Sequence, residues 1–185
     1  DTFGPPFGTE LSEKDNLFNL PNGVKIELYY TFGKKPDSTF NMTTLTREDV
    51  VYWLNEWELS RVLSAGDFNA FVDPAITSIG DEAFSNCHNL VTMSIHIGVT
   101  TIGNKAFSYC DQLSNLFFGT NLNAVGLSNL ETIGDYAFEG CSMKQILLPP
   151  KVSSIGRWCF YNSQKLSNII FFRGSNIDTI EDYCF

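Results

Sequence analysis

The sequence predicts a solenoid of short parallel β-strands that follows an α+β segment at the amino terminus. The main observation is a nine-residue motif, Ile-Gly-x-x-Ala-Phe-x-x-Cys, which occurs in full at 79–87, 102–110 and 133–141. Shorter copies follow at 155–160 and 180–185. The second observation is the repeat period of about 23 residues, which is typical of stacked coils. A unit this short cannot bury its apolar face alone, so we expect the copies to stack.

Composition excludes several classes of function. The 185 residues carry a formal net charge of −9 at pH 7, and no lysine and arginine cluster is present to neutralise phosphates. Both features argue against a nucleic-acid partner. No apolar run reaches the roughly 18 to 20 residues of a membrane span, so direct membrane insertion is not expected. The chain starts at Asp1, which follows either a removed leader or a boundary within a longer chain.

The segment 1–74 precedes the repeats and is the first predicted unit. Its first twenty residues contain turn-forming glycines and prolines without periodicity, so we expect an irregular arm. Apolar residues alternate with mostly polar ones over 24–32, which predicts a strand with one buried face. The sequon at Asn41 is a candidate glycosylation site if the chain is secreted by a eukaryotic cell.

A helix is predicted from residue 47 to about 59, and up to 63 at its longest. Thr46 is a good N-cap, and apolar residues recur three and four apart beyond it. A solenoid needs a cover over the apolar end of its first coil, and this helix is the natural candidate. We therefore expect Trp53 and Trp57 to belong to the core of the cap rather than to a ligand platform.

The repeat segment covers 75–185 and contains a strand upstream of each motif. Leu90, Met93 and Ile95 are predicted to point inward, and successive strands should pair in parallel about 4.8 Å apart. The motif glycine permits either a positive φ or a close backbone approach. The Ala-Phe pair is expected to form a short helical turn or a second short strand, with the phenylalanine filling the interior. The longest repeat carries its insertion within 119–128, at a turn.

The cysteines follow the repeat. Cys87, Cys110 and Cys141 occupy one motif position, whereas Cys159 and Cys184 replace the motif alanine. Cysteines placed by a repeat are mostly small buried side chains, so we expect free thiols, with disulfides as the alternative.

The repeat segment resembles BspA-like (Treponema pallidum-type) leucine-rich repeats, which share the period and the Ile-Gly-x-x-Ala-Phe-x-x-Cys segment. The resemblance covers 75–185 and implies a right-handed leucine-rich-repeat solenoid of about four to five units. It also implies an extracellular or cell-surface protein that acts through protein–protein contacts, as adhesins do. The last copies depart from the pattern, since Ser163 replaces the motif cysteine and Glu181 the glycine.

The outward strand positions form two columns, which are the candidate partner-binding surface. The polar column consists of Thr92, Asn115, Gln145 and Asn168. The apolar column consists of Ser94, Phe117, Leu147 and Ile170. Exposed apolar residues in register are typical of an interface. The alternatives are that the amino-terminal segment or a neighbouring chain covers the apolar column, or that the register is shifted by one residue.

No pattern in the sequence indicates catalysis, a cofactor or a metal. His88 and His96 lie near Cys87 and Cys110, but their spacing matches no standard zinc site. We therefore expect a non-catalytic interaction module, secreted or on the cell surface (an organelle lumen is also possible), that binds a protein or glycan partner.

Two other functions stay open at this point. A structural subunit would dock in a larger assembly through the arm, the apolar column and the end at Phe185, where we expect the repeat to be truncated. An enzyme would need a polar cleft within 1–74.

Overall fold

A computed structural model describes residues 29–57, 67–119 and 122–185. The predicted arm, the start of the predicted strand at 24–28 and the helical extension at 58–63 lie outside these residues. Within them, every strand pairs in parallel with the equivalent strand of a neighbouring coil. The described residues therefore form a parallel-strand β-solenoid of about five turns, with one α-helix near their amino-terminal end, as the sequence predicts.

The longer strands form one side of the solenoid, which we call the strand face. A four-stranded sheet contains β1 (Tyr29–Phe32), β3 (Phe68–Val72), β5 (Leu90–Ile95) and β7 (Asn115–Phe118). A two-stranded sheet continues it with β9 (Gln145–Leu148) and β11 (Asn168–Phe171). A 3₁₀ segment at Leu122–Leu127 follows β7 and accommodates the predicted insertion.

A second sheet runs along another side of the solenoid and contains six strands of two residues each. They are β2 (Thr44–Leu45), β4 (Ser78–Ile79), β6 (Thr101–Ile102), β8 (Thr132–Ile133), β10 (Ser154–Ile155) and β12 (Thr179–Ile180). Both β1 and β2 belong to the amino-terminal segment, and they pair with β3 and β4. Because β3 also lies within 1–74, that segment supplies two strands of the strand face and one strand of the second sheet rather than only covering their ends.

The helix α1 (Arg47–Glu56) caps the first coil, and it ends before the predicted limit of 59 to 63, with Trp57 as its C-cap. Trp57 packs against Tyr30 and Phe32, with ring centroids 5.0 and 5.1 Å apart. Trp53 stacks on Trp57, and its indole N–H donates to the Gly33 carbonyl oxygen. Both tryptophans are therefore half-buried members of the cap core, as predicted.

A stack of phenylalanine rings fills the interior. Phe84, Phe107, Phe138 and Phe160 lie in successive coils, with ring centroids 5.1, 5.4 and 5.6 Å apart and interplanar angles of 2°, 6° and 9°. Phe32 of β1 closes the stack edge-on, 5.0 Å from Phe84. We call these five residues the phenylalanine stack.

The motif glycine acts through close approach and not through a positive φ. A Cβ on Gly134 would lie 2.7 Å from the backbone nitrogen of Asn104, so no larger residue fits without moving the coils. Positive φ instead occurs two residues later, for example 54° at Lys105 and 56° at Tyr136. The Ala-Phe pair forms consecutive turns, so the expected helical turn or second strand is wrong. The phenylalanine N–H of the pair donates to the next coil, as from Phe107 to the Ala137 carbonyl at 2.8 Å, whereas the alanine N–H donates to the motif glycine of its own coil.

The cysteines are free and buried. The Cys141 thiol donates to the Phe107 carbonyl oxygen at 3.3 Å, in the preceding coil. Ser163 makes the equivalent bond to Phe138 at 2.8 Å, which explains why serine can replace the motif cysteine. Burial raises the pKa of the Cys110 and Cys141 thiols, so both stay protonated near neutral pH and are poor nucleophiles.

We expect the free energy of unfolding of Cys141→Ser to lie within about 1 kcal/mol of the wild-type value, because the serine hydroxyl can donate to the same carbonyl as the thiol. Cys141→Ala, which removes the donor and leaves a void, should lose more. Urea denaturation of the two variants compares them directly. A serine variant less stable than the alanine variant would contradict the proposed role of the hydrogen bond.

Candidate functional site

The structure forms both predicted columns on the strand face. Where β5 pairs with β7, Thr92 lies opposite Asn115 and Ser94 lies opposite Phe117. Where β9 pairs with β11, Gln145 lies opposite Asn168 and Leu147 lies opposite Ile170. The inward neighbours Met93, Phe118, Ile146 and Leu148 are buried, so the register is the predicted one and not the register shifted by one residue.

The two columns are interrupted once in the described part of the chain. β7 and β9 lie side by side but belong to different sheets, so no ladder joins Phe117 to Leu147. The 3₁₀ segment follows β7 at this point, and its Val125 is buried in the core. The insertion therefore coincides with the break in the strand face.

The apolar column is less exposed than the sequence suggests. Ile170 is 43% exposed, whereas Phe117 and Leu147 are half-buried, and Leu147 packs partly against the core. One member was missed, since Phe71 lies opposite Ser94 and is 37% exposed. The coil that contains β3 lacks the repeat's leucine pattern, but the alternation of Phe68, Ala70 and Val72 could have identified it.

The strand face lacks ionisable side chains along both columns, although the chain carries a formal net charge of −9. The polar column presents amides and one hydroxyl, and Asn69 extends it opposite Thr92. Amide groups both donate and accept hydrogen bonds. A partner can therefore cover this surface without desolvating an unpaired charge.

A second exposed feature lies on the turns that contain the motif. The rings of Tyr136, Trp158 and Tyr183 stack across three coils, with centroids 6.2 and 4.5 Å apart. The Lys105 ammonium lies 5.8 Å from the Tyr136 centroid and continues the row. We call this row the aromatic ladder. Sequence reasoning missed it because these residues occupy a variable position of the motif, where no pattern requires an aromatic side chain.

The histidines do not form a metal site. The His96 ring contacts the Ile76 carbonyl through Nε2 at 2.7 Å, and its Nδ1 accepts from the Gly98 N–H at 3.0 Å. His88 instead lies 3.2 Å from an Asp111 carboxylate oxygen. Across the described ranges, no group of three or more histidine, cysteine, aspartate or glutamate residues is arranged to hold a metal ion.

Two further features bear on the setting of the protein. Asn41 of the sequon is exposed, in a turn with φ of 46°, so a modifying enzyme can reach it. The described part of the chain includes no helix of sufficient length and apolar character to span a bilayer.

Comparisons with known proteins agree with this architecture. The family model described as a BspA type leucine rich repeat region matches 68–131 and 115–185. A leucine-rich repeat protein from Eubacterium ventriosum is 23% identical, with a TM-score of 0.50 over 83% of this chain and 39% of that chain. The Leucine Rich Repeat protein of T. pallidum is 22% identical, with a TM-score of 0.48 over 57% of this chain and 52% of that chain.

A leucine rich cell surface protein from Faecalibacterium prausnitzii is 23% identical, with a TM-score of 0.41 over 60% of this chain and 34% of that chain. The chain thus spans about half or less of the length of these solved structures. At such identities, the likeness concerns the fold alone. No curated protein sequence matches.

Proposed function

We propose, from the premise that this chain belongs to the BspA type leucine-rich-repeat family, that it binds a partner protein on its strand face. Leucine-rich repeats of this family suggest a protein–protein interaction or recognition module, and they are generally non-catalytic. The observation that supports the strand face as the binding surface is the apolar column, which is in register from Phe71 to Phe117 and again from Leu147 to Ile170, on either side of the break at the insertion.

The chemistry of the strand face supports this placement. Burying apolar area removes it from water and contributes roughly 25 cal/mol per Å². The column that supplies this area is flanked by uncharged amides, which can hydrogen-bond to a partner at the rim. Interfaces with an apolar centre and a polar rim have the same arrangement. The strand face therefore combines the two parts that a protein interface needs.

We place the protein outside the cell or on its surface, where it acts as an adhesin or recognition protein. Support comes from the family, and one solved structure similar in fold is described as a cell surface protein. A surface that binds through uncharged groups is little affected by ionic strength, which suits an extracellular setting of variable salt.

The strand-face proposal predicts that Phe71→Ser combined with Ile170→Ser abolishes partner binding with little loss of stability. These two members are 37% and 43% exposed, so their replacement removes contact area without opening the core. Binding is measured by affinity capture from the native source, with cross-linking and mass spectrometry to map the contact. Leu127→Ser, which removes a 66% exposed leucine elsewhere, is the matched control.

The expected result is cross-links on the strand face of the wild type, lost in the double variant and kept in the control. Cross-links confined to other faces would overturn the placement. Equal capture of the partner by the wild type and the double variant would also overturn the proposal that the strand face is the binding surface.

A further inference from the structure

We propose that a groove along the second sheet binds an extended, uncharged glycan chain. The groove encloses about 510 Å³ and runs from Asp81 in one coil to Glu181 four coils later. At a coil spacing of about 4.8 Å, this is a length of about 19 Å. The groove lies on a different sheet from the apolar column, so this proposal does not depend on the strand-face interaction.

One wall of the groove is a row of hydroxyl groups. Thr101, Thr132 and Ser154 lie opposite one another in successive strands of the second sheet. The Thr132 and Thr101 hydroxyl oxygens are 3.4 Å apart, a weak contact that leaves both able to bond to a ligand. Beside them the lining consists of Ile102, Ile133 and the motif glycines, and each glycine lies against the Asp or Asn of the preceding coil.

The other wall is a row of planar polar side chains held in fixed orientations. One Asp81 carboxylate oxygen accepts from the Asn104 backbone N–H at 2.7 Å. The Asn104 amide oxygen accepts from the Asp135 N–H at 2.8 Å, and Asp135 accepts from the Arg157 N–H at 2.7 Å. Each bond uses one end of the side chain and leaves the other end free. The free ends are therefore pre-oriented toward a ligand, which lowers the entropy lost on binding.

The repetition of these groups defines the kind of ligand. Three successive coils each offer one hydroxyl and one planar polar side chain, namely Thr101 with Asn104, Thr132 with Asp135, and Ser154 with Arg157, so a ligand that uses them all must itself be a repeating chain. Sugar hydroxyls donate and accept, as such walls require. An extended peptide rises only about 3.3 Å per residue, which does not match the coil spacing of about 4.8 Å. A pyranose unit is longer, so its repeat is closer to that spacing.

The charges of the groove disfavour a polyanionic chain. Asp81, Asp135 and Glu181 line it, and Arg157 is the single basic residue among the lining side chains. Arg157 also lies 3.7 Å from Glu181, which offsets its charge. A phosphate or sulfate chain would meet more negative than positive side chains and be repelled.

The aromatic ladder starts one or two residues beyond the groove in each of its coils, although none of its members lines the groove itself. Trp158 follows Arg157 directly in sequence, and Tyr183, at the end of the ladder, is 68% exposed. A sugar ring carries C–H groups as well as hydroxyls, and the exposed Tyr183 ring, with the edges of the half-buried Tyr136 and Trp158 rings, offers apolar surface for them. Tyrosine and tryptophan also hydrogen-bond at their polar ends. A glycan that extends past the groove would therefore meet aromatic surface in addition to the two isoleucines of the lining.

The test is calorimetric titration of the whole protein with cellohexaose, mannohexaose and chitohexaose, and with a heparin-derived hexasaccharide as the polyanionic probe. Trp158 fluorescence, with Trp158→Phe as the reference, reports binding near the ladder. Thr132→Val removes one wall hydroxyl at constant size, and Thr92→Val makes the same change on the strand face. Circular dichroism confirms that both variants are folded.

We expect saturable binding of at least one uncharged hexasaccharide with a change in Trp158 fluorescence. Thr132→Val should weaken that binding about fivefold, which corresponds to one hydrogen bond, while Thr92→Val leaves it unchanged. The proposal is overturned if no uncharged hexasaccharide binds, if the heparin fragment binds as tightly, or if Thr132→Val binds like the wild type.

Discussion

Replacing Asp49 by alanine is expected to lower the free energy of unfolding by about 3 to 5 kcal/mol, because it leaves a buried ammonium unpaired. The Asp49 side chain is 1% exposed and lies 2.6 Å from Nζ of Lys34, which is itself only 10% exposed. The same carboxylate accepts from the backbone N–H of Lys35 and from the N–H and hydroxyl of Thr46. One side chain thus joins the loop after β1 to the start of α1.

Glu48 supplies the matched control. It precedes Asp49 in the first turn of α1 and pairs with Lys35 of the same loop at 3.1 Å, but its side chain is 80% exposed. Exposed ion pairs contribute about 0 to 1 kcal/mol, so Glu48→Ala should be nearly neutral. Chemical denaturation of both variants tests the contrast. Equal losses of stability would show that burial of Asp49 is not the cause.

Asp49 also predicts how stability depends on pH. Burial alone raises the pKa of this carboxyl, but the hydrogen bonds from Lys34, Lys35 and Thr46 outweigh it and hold the pKa below its ordinary value. A carboxyl with a lowered folded pKa stabilises the protein above the pKa of the unfolded chain, about 4. That stability is lost as pH falls through the folded pKa. Between these two pKa values, the free energy of unfolding of Asp49→Asn should depend less on pH than that of the wild type. An unchanged pH dependence would contradict the assignment of this effect to Asp49.

The repeat motif allowed the array to be predicted because its physics is local and periodic. Ile102, Phe107 and Cys110 recur at fixed positions, and each position has one environment in every coil. The outward column was predictable for the same reason, since Ser94 and Phe117 alternate with buried residues. Because each coil repeats the residue pattern of the coil before it, the structure of the array can be predicted from the sequence.

The contacts that join the cap to the array could not be predicted in this way. Lys34 and Asp49 are fifteen residues apart across a loop without periodicity, so no spacing rule pairs them. Arg47 of α1 donates to the Ala83 and Ser85 carbonyl oxygens, at 3.3 and 2.7 Å. In later coils, the equivalent carbonyl oxygens accept hydrogen bonds from backbone N–H groups of the preceding coil. Only the folded arrangement shows that Arg47 takes the place of that missing coil.

Replacing Phe107 by alanine is the second substitution with a large expected effect, a loss of about 3 to 5 kcal/mol. The Phe107 ring is fully buried between Phe84 and Phe138, with centroids 5.1 and 5.4 Å away. Because the coils are fixed by backbone hydrogen bonds on both sides, they cannot collapse to fill the cavity. The loss of stability therefore includes the cost of the cavity as well as the hydrophobic free energy that burial of the ring contributed.

Tyr109→Ala is the matched control, because it removes an aromatic ring two residues away in the same turn that is 43% exposed. Its hydroxyl donates to a carboxylate oxygen of the buried Glu139 at 2.8 Å, so a smaller loss of about 1.5 to 3 kcal/mol is expected. Urea denaturation monitored by circular dichroism compares the two variants. If Phe107→Ala costs no more than Tyr109→Ala, the phenylalanine stack is not what holds successive coils together, and the backbone ladders alone must do so.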